Sequence, residues 1–122
     1  MAAKQRLVRA EAALRRHALA YPETVEEFPW EHRAFKVKGK TFLFLYRADG
    51  FLSLSVKLPL SAKMAVNLPF ASPTGYSLGK SGWVTARFDG DQVVPVDMLK
   101  EWVDESFRAV APMKLLAKLD PG

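Results

Sequence analysis

The sequence predicts one α+β domain, in which a single-layer antiparallel sheet is flanked by N- and C-terminal helices. Strands of alternating apolar and polar residues follow one another, and the turns between them are only two or three residues long. Such short turns join antiparallel strands, because parallel strands need a longer crossover. Amphipathic helical patterns stand at both ends of the chain. A length of 122 residues suits a single domain, which we assign to residues 1–122.

An N-terminal helix is predicted over residues 4–20. Its buried stripe has helical spacing and comprises Leu7, Ala10, Leu14 and Ala18. Tyr21 precedes Pro22, and a residue in that position is pushed out of the helical region, so the helix ends there. Residues 22–31 are predicted to form an acidic connection that contains two prolines.

Three strands are predicted next, at residues 34–38, 41–47 and 52–58. Gly39-Lys40 and Ala48-Asp49-Gly50 provide the turns between them. The second strand is an almost continuous apolar run, which predicts burial on both of its faces. The third alternates, and its inward positions are Leu52, Leu54, Val56 and Leu58.

The second half of the chain predicts a short helix, a strand and a long helix. Ser61 is a candidate N-cap for the short helix at 62–68, and residues 70–82 read as a loop. The strand at 83–88 turns Val84, Ala86 and Phe88 inward and Trp83, Thr85 and Arg87 outward. Asp97 is the predicted cap of the long helix, whose buried stripe is Leu99, Trp102, Val103, Ser106, Phe107 and Val110.

Composition narrows the classes of function. The chain has no cysteine, which excludes disulfides, thiolate catalysis and cysteine-ligated zinc. No apolar run approaches the ~20 residues that span a bilayer, and no apolar segment follows the charged N-terminus, so we expect a cytoplasmic protein without membrane contact. Oligomeric state stays open.

The basic charge is concentrated in the middle of the chain. Residues 32–88 carry nine lysines and arginines against the single acid Asp49. A field of this kind attracts polyanions. The alternative is an ordinary soluble surface with a basic bias.

No catalytic or cofactor motif is present. Residues 75–81 resemble a phosphate-binding loop, but only three residues separate Gly75 from Gly79, where that motif requires four. His17 and His32 lack a nucleophile in a recognised pattern. We therefore expect no enzyme activity, no cofactor and no tightly bound metal, and a metal would have to use Glu23, Glu27 and His32.

Three binding functions are open. The first is weakly specific DNA or other nucleic-acid binding by the basic strands and loop, through Lys36, Lys38, Lys40, Lys57, Lys80, Trp83 and Arg87. In this hypothesis Trp83 and Tyr76 stack on bases, whereas the alternative for Trp83 is packing. The second is a small-molecule or anion pocket beneath residues 75–82, lined by Trp30, His32, Tyr76 and Lys80. The third is a protein-interaction adaptor with an exposed apolar patch.

Three segments together resemble the MmcQ/YjbR family of small bacterial proteins: residues 30–42 (WEHRAFKVKGKTF), 76–84 (YSLGKSGWV) and 106–115 (SFRAVAPMKL). The resemblance covers most of the chain. It implies a fold grouped with bacterial frataxin-like (CyaY-like) domains, sometimes described as a double wing, and a DNA-binding role that rests on structural analogy. Glu31 stands where the family usually has glycine, and Phe107 stands where tyrosine is expected.

Overall fold

The structure is a computed structural model that describes residues 2–28, 32–75 and 78–119. The helices are α1 (Ala2–Leu19), α2 (Ala62–Ala65), α3 (Val96–Val110) and α4 (Met113–Leu119), and Leu78–Ser81 forms one turn of 3₁₀ helix. The strands are β1 (Thr24–Glu27), β2 (Arg33–Val37), β3 (Lys40–Ala48), β4 (Phe51–Lys57), β5 (Ala71–Pro73) and β6 (Trp83–Asp89).

The six strands form one antiparallel sheet in the order β1-β2-β3-β4-β6-β5. Every pair of neighbouring strands is antiparallel, as the short turns predicted. The chain leaves β4, passes through α2 to the edge strand β5, and returns to place β6 beside β4. The predicted α+β class, with an antiparallel sheet and helices at both ends, is therefore confirmed.

The hydrophobic core lies between the sheet and the helices α1 and α3. All four predicted positions of the α1 stripe are buried, as are the inward positions of β4 and β6. Five of the six stripe positions of α3 are buried, and Val110 packs partly exposed against the same cluster. The alternation in β4 and β6 was readable because one face is covered by helices and the other is not.

Two edge strands were not predicted from the sequence. β1 lies within the segment read as an acidic connection, and β5 within the segment read as a loop. Both are short, and Pro73 ends β5 at the edge of the sheet, where a proline is tolerated because no ladder hydrogen bond is lost. Neither strand carries the apolar alternation that identifies a half-buried strand, because their partly buried positions include Thr24 and Glu26.

Of the two predicted helix caps, Asp97 was wrong, and Ser61 is confirmed in position but makes no capping hydrogen bond. Helix α3 begins at Val96 after Pro95, so Asp97 lies in its first turn and does not cap it. Ser61 does stand at the N-cap of α2, but its hydroxyl donates to Glu105 Oε1 at 2.6 Å and makes no capping bond.

The tight turn after β2 falls one residue earlier than predicted, at Lys38 and Gly39, whose φ angles are 50° and 80°. Positive φ at both positions is the geometry of a type I′ hairpin.

A bulge interrupts the pairing of β2 with β3. Phe35 pairs with Leu43 and Lys36 with Thr41, so Phe42 is an extra residue in β3. Phe42 and Leu43 are both fully buried in the core. The prediction that β3 is buried on both faces was wrong, because Phe44 and Tyr46 on its other face are partly exposed.

In the part of the chain that the structure describes, no helix has the length and apolarity needed to cross a membrane.

Candidate nucleic-acid interface

The side of the sheet opposite α1 and α3, which we call the open face, carries three rows of side chains across the strands. Strand register defines the rows. The first row contains two register pairs, Lys36 with Thr41 and Lys57 with Trp83, and Thr41, Lys57 and Trp83 line one cavity. The second row contains Ala34, Phe44, Ser55 and Thr85, and the third contains Tyr46, Ser53 and Arg87. The sequence placed Ser53, Ser55, Lys57, Trp83, Thr85 and Arg87 on one face, and the register agrees.

A run of contacting rings passes through Tyr46 of the third row and ends at the cation of Arg87. The imidazole of His32 stacks on the ring of Tyr46 at 4.3 Å between centroids, with 15° between the planes. Tyr46 meets Phe51 edge-to-face at 5.6 Å, and the guanidinium of Arg87 lies 3.8 Å from the centroid of Phe51. His32 and Arg87 are exposed, while Tyr46 and Phe51 are partly exposed. This part of the open face therefore presents flat rings to solvent beside the positive charge of Arg87.

The other end of the open face is more closed. Trp83 is only 8% exposed, and its ring centroid is 5.7 Å from that of Phe44. Trp83 thus faces away from the helices, as predicted, and is nevertheless packed. A base could reach it only from the cavity that it lines. Between Trp83 and the third row, the hydroxyls of Ser55 and Thr74 each lie within 2.9 Å of the hydroxyl of Thr85.

The predicted basic residues fall into two groups. Three of them are paired with acids: Lys36 with Glu27 at 3.0 Å, Lys38 with Glu23 at 2.6 Å and Arg87 with Asp89 at 3.6 Å. Lys40, Lys57 and Lys80 make no ion pair with any residue that the structure describes. Of these six residues, the cations without an acidic partner among the described residues are therefore Lys40 and Lys57, which line one cavity, and Lys80 in the turn Leu78–Ser81.

Two cavities flank the segment at residues 78–82. One, of about 420 Å³, is lined by Lys40, Thr41, Phe44, Lys57, Leu78, Trp83, Ala109 and Val110. The other, of about 620 Å³, is lined by Leu58, Pro59, Leu60, Ala62, Lys63, Gly79, Lys80, Ser81 and Gly82. Among the residues that the structure describes, each cavity is lined by two lysines and by no acidic side chain.

The predicted pocket beneath residues 75–82 is only partly visible. Trp30 and Tyr76 lie outside the described residues, so their part in it is not seen. Lys80 lines the larger cavity. His32 does not line that cavity. It stacks on Tyr46 in the third row.

The acidic segment is occupied by ion pairs. Glu26 accepts hydrogen bonds from Arg15 and Arg33, and Glu11 accepts from Arg33 and Arg47. The guanidinium of Arg15 holds the pKa of Glu26 below its ordinary value of 4.5, with a further contribution from Arg33, although burial acts in the opposite direction. Among the described residues, no three acidic or histidine side chains are grouped closely enough to hold a metal ion.

The half-buried His17 belongs to a polar network beneath α3. The Tyr21 hydroxyl donates to Asp104 Oδ1 at 2.7 Å, and His17 Nε2 lies 3.1 Å from the same hydroxyl. Burial and the hydrogen bond to Asp104 raise the pKa of Tyr21, and burial lowers the pKa of His17. The Tyr21 ring also stacks on Phe107 at 4.4 Å. This arrangement ties the end of α1 to α3.

Sequence reasoning missed three aromatic residues of the open face: Phe44, Tyr46 and Phe51. The available signal was the composition of the two faces of β3, in which Phe44 and Tyr46 alternate with Leu43 and Leu45. Aliphatic residues on one face and aromatic residues on the other distinguish a core face from a face that is only partly covered. Phe51 stands directly after the Asp49-Gly50 turn and has no comparable pattern.

Comparison with solved structures places this fold among small bacterial proteins. A Deinococcus radiodurans protein with a DUF419 domain is 29% identical and superimposes with a TM-score of 0.66, over 83% of this chain and 78% of that one. A Pseudomonas syringae protein is 17% identical with a TM-score of 0.58, over 77% of this chain and 92% of that one. A Bacillus subtilis protein of the DUF1801 family is 15% identical with a TM-score of 0.57, over 84% and 77%.

The similarities to the Pseudomonas syringae and Bacillus subtilis proteins concern the fold alone. No curated protein matches the chain. The family model of YjbR matches residues 19–109, which run from the end of α1 nearly to the end of α3 and include the whole sheet. The match contains all three rows of the open face, and it confirms the resemblance that the sequence segments indicated. The chain belongs to the YjbR family.

Proposed function

We propose that this protein is a non-catalytic binding module that engages single-stranded segments of DNA, with weak sequence preference, on its open face. The observation that carries the proposal is a run of rings that ends at a cation on one sheet face: the partly exposed rings of Tyr46 and Phe51 lie between the imidazole of His32 and the guanidinium of Arg87. Stacking of bases on aromatic side chains tolerates any base, and lysines and arginines follow the phosphates. DNA is the nucleic acid that the YjbR resemblance implies.

The open face is suited to a single strand. The long helices α1 and α3 pack on the opposite side of the sheet, so strands, and not a helix, face the ligand. Duplex readers insert a helix or a ribbon into a groove, whereas unpaired bases can lie flat against a sheet that carries aromatic residues. The hydroxyls of Ser53, Ser55 and Thr85 lie between the cations and supply hydrogen-bonding groups without charge.

The paired cations remain usable for phosphate contact. Lys36 and Arg87 and their acidic partners all lie near the surface, with side chains 31% to 62% exposed. Exposed ion pairs contribute only about 0–1 kcal/mol each, so a phosphate can displace the carboxylate at small cost. The guanidinium of Arg87 is also held over Phe51, which orients it toward a base stacked nearby.

The test is fluorescence anisotropy of a labelled 5′-hydroxyl single-stranded oligonucleotide at low salt. Tyr46→Ala is expected to weaken binding by about 1–3 kcal/mol, the range for loss of one stacked base. Leu60→Ala is the control, because Leu60 is 87% exposed and lies in the turn after β4, outside the rows of the open face. Circular dichroism must show that both variants fold.

Absence of binding by the unmodified protein at tens of micromolar would refute the proposal. Equal effects of Tyr46→Ala and Leu60→Ala would also refute it, because the strand would then lie elsewhere. A duplex of the same sequence is the further comparison, and it is expected to bind more weakly than the single strand, since its bases are not free to stack.

A further inference from the structure

The cavity of about 420 Å³ at the first row of the open face combines two cations with an apolar wall. Lys40 begins β3 and Lys57 ends β4, and both line the cavity, whose described lining residues include no acid. Phe44, Leu78, Trp83 and Val110 supply the wall. Its volume is within the ~300–1,000 Å³ that small-ligand sites occupy.

From this combination we propose that the cavity binds a phosphomonoester attached to a flat ring, the chemistry of a nucleoside monophosphate. A phosphomonoester carries a charge of about −1.5 to −2 at pH 7, and two lysines without acid partners among the described residues match it. An internal phosphodiester has a single negative charge and would leave one lysine uncompensated. The wall of Phe44 and Trp83 suits a flat ring of the size of a base.

Backbone geometry holds the two lysines in place. The amide of Lys57 donates to Ser106 Oγ at 2.8 Å, which fixes the end of β4 against α3. Lys40 follows the tight turn at Lys38 and Gly39, and this turn sets where β3 starts. The final turn of α3 then closes the cavity with Ala109 and Val110. Because the backbone positions are set, only the lysine side chains have to become ordered when the anion enters.

Such a group has two sources: a free nucleotide, or the phosphorylated 5′ end of a strand. The inference goes beyond strand binding on the open face and does not depend on it. Calorimetric titration with adenosine 5′-monophosphate tests the free nucleotide. Anisotropy with one oligonucleotide in 5′-phosphate and 5′-hydroxyl forms tests the strand end.

Adenosine 5′-monophosphate is expected to bind at least about tenfold more tightly than adenosine or than adenosine 3′,5′-cyclic monophosphate, whose phosphodiester has one charge. Lys40→Ala and Lys57→Ala are each expected to weaken this binding at least about tenfold, the loss of one charged hydrogen bond. Lys4→Ala is the control for general charge, because Lys4 is exposed on α1.

Binding of adenosine 5′-monophosphate should also weaken as pH falls from 7.5 to about 5, because the second pKa of the phosphate is about 6.

Lys80→Ala is the control for the neighbouring cavity, which it lines with Lys63. Loss of nucleotide binding in Lys80→Ala, with no loss in Lys40→Ala, would overturn the assignment. Equal affinity for the cyclic and the linear nucleotide would also overturn the assignment. It would likewise be overturned if calorimetry showed no heat at millimolar nucleotide and the 5′-phosphate and 5′-hydroxyl oligonucleotides bound with equal affinity. A preference for the 5′-phosphate strand without free-nucleotide binding would assign the site to strand ends. Loss of all strand binding with retained nucleotide binding would sink only the proposed function.

Discussion

Ser106 is a fully buried polar side chain that links the core to the candidate interface. Its hydroxyl donates to the carbonyl oxygen of Phe42 at 2.5 Å and accepts from the amide of Lys57 at 2.8 Å. The bulge in β3 takes Phe42 out of the β2 ladder, so its carbonyl needs a partner from outside that pair of strands. One serine on α3 therefore satisfies a backbone group of β3 and a backbone group of β4.

Replacing Ser106 by alanine is expected to lower the free energy of unfolding by about 2–4 kcal/mol. The physical reason is that two buried backbone groups lose a partner, each at a cost of about 1–3 kcal/mol. Urea denaturation measures the change, and hydrogen exchange should show faster exchange at the Lys57 amide. Ser53→Ala is the control, since Ser53 lies partly exposed on the open face and a substitution there should stay within about 0.5 kcal/mol. Equal losses in the two variants would contradict the assignment.

The sequence identified Ser106 as part of the buried stripe of α3 but gave no sign of its partners. A serine at a stripe position shows only that a small polar group will be buried. Its partners depend on the bulge at Phe42, and a single bulge leaves no clear mark in an almost continuous apolar run. The same run concealed Tyr46, whose exposure depends on what covers the second face of the sheet.

At the scale of elements, β1 is held to the molecule by charged groups as well as by its ladder with β2. Glu26 accepts from Arg15 of α1 and from Arg33 of β2, and its side chain is only 11% exposed. An edge strand of four residues with two glutamates lacks the apolar pattern of a strand, which is why a connection was predicted there. Long-range partners such as Arg15 are not visible in a local pattern.

Glu26→Gln is expected to destabilise the fold by about 1–3 kcal/mol at pH 7, because charged hydrogen bonds from two arginines are lost. The folded-state pKa of Glu26 lies below its ordinary value of 4.5. Its contribution is therefore fully present above that value and is lost as pH falls through the folded-state pKa. The difference between the two proteins should accordingly shrink in urea denaturation at about pH 3.

Glu27→Gln provides the matched control for that experiment. Glu27 is the next residue of β1, its side chain is 50% exposed, and it pairs with Lys36 at 3.0 Å. Exposed pairs contribute about 0–1 kcal/mol, so this variant should show a small effect at both pH values. A loss in Glu27→Gln as large as that in Glu26→Gln would mean that net charge, and not the buried contacts of Glu26, controls the stability.

For the whole molecule, the sequence showed the sign of the charge and the region that carries it, but not which of the basic residues have an acidic partner. Nine basic residues against one acid between residues 32 and 88 implied a broad positive field. The fold brings acids from β1 and its preceding turn, outside that region, beside two of these lysines: Glu23 beside Lys38 and Glu27 beside Lys36. Local composition cannot show this compensation, because it is created by pairing β1 with β2. The architecture itself was readable, since short turns and alternation are local.

This compensation predicts that lysines on either side of one turn act differently in strand binding. Lys40 and Lys57 have no ion-pair partner among the described residues, whereas Lys38 contacts Glu23 at 2.6 Å. For a single strand, log affinity falls with log salt by about 0.7 for each phosphate that a cation neutralises. Lys40→Ala and Lys57→Ala should therefore each flatten the slope by about 0.7, and Lys38→Ala should flatten it less, because a phosphate must first displace the 2.6 Å contact of Lys38 with Glu23. Anisotropy titrations of a 5′-hydroxyl strand over a range of salt concentrations measure the three slopes. Equal flattening by all three variants would show that the strand displaces Glu23 readily. Lys38 would then contribute to strand binding as fully as Lys40 and Lys57.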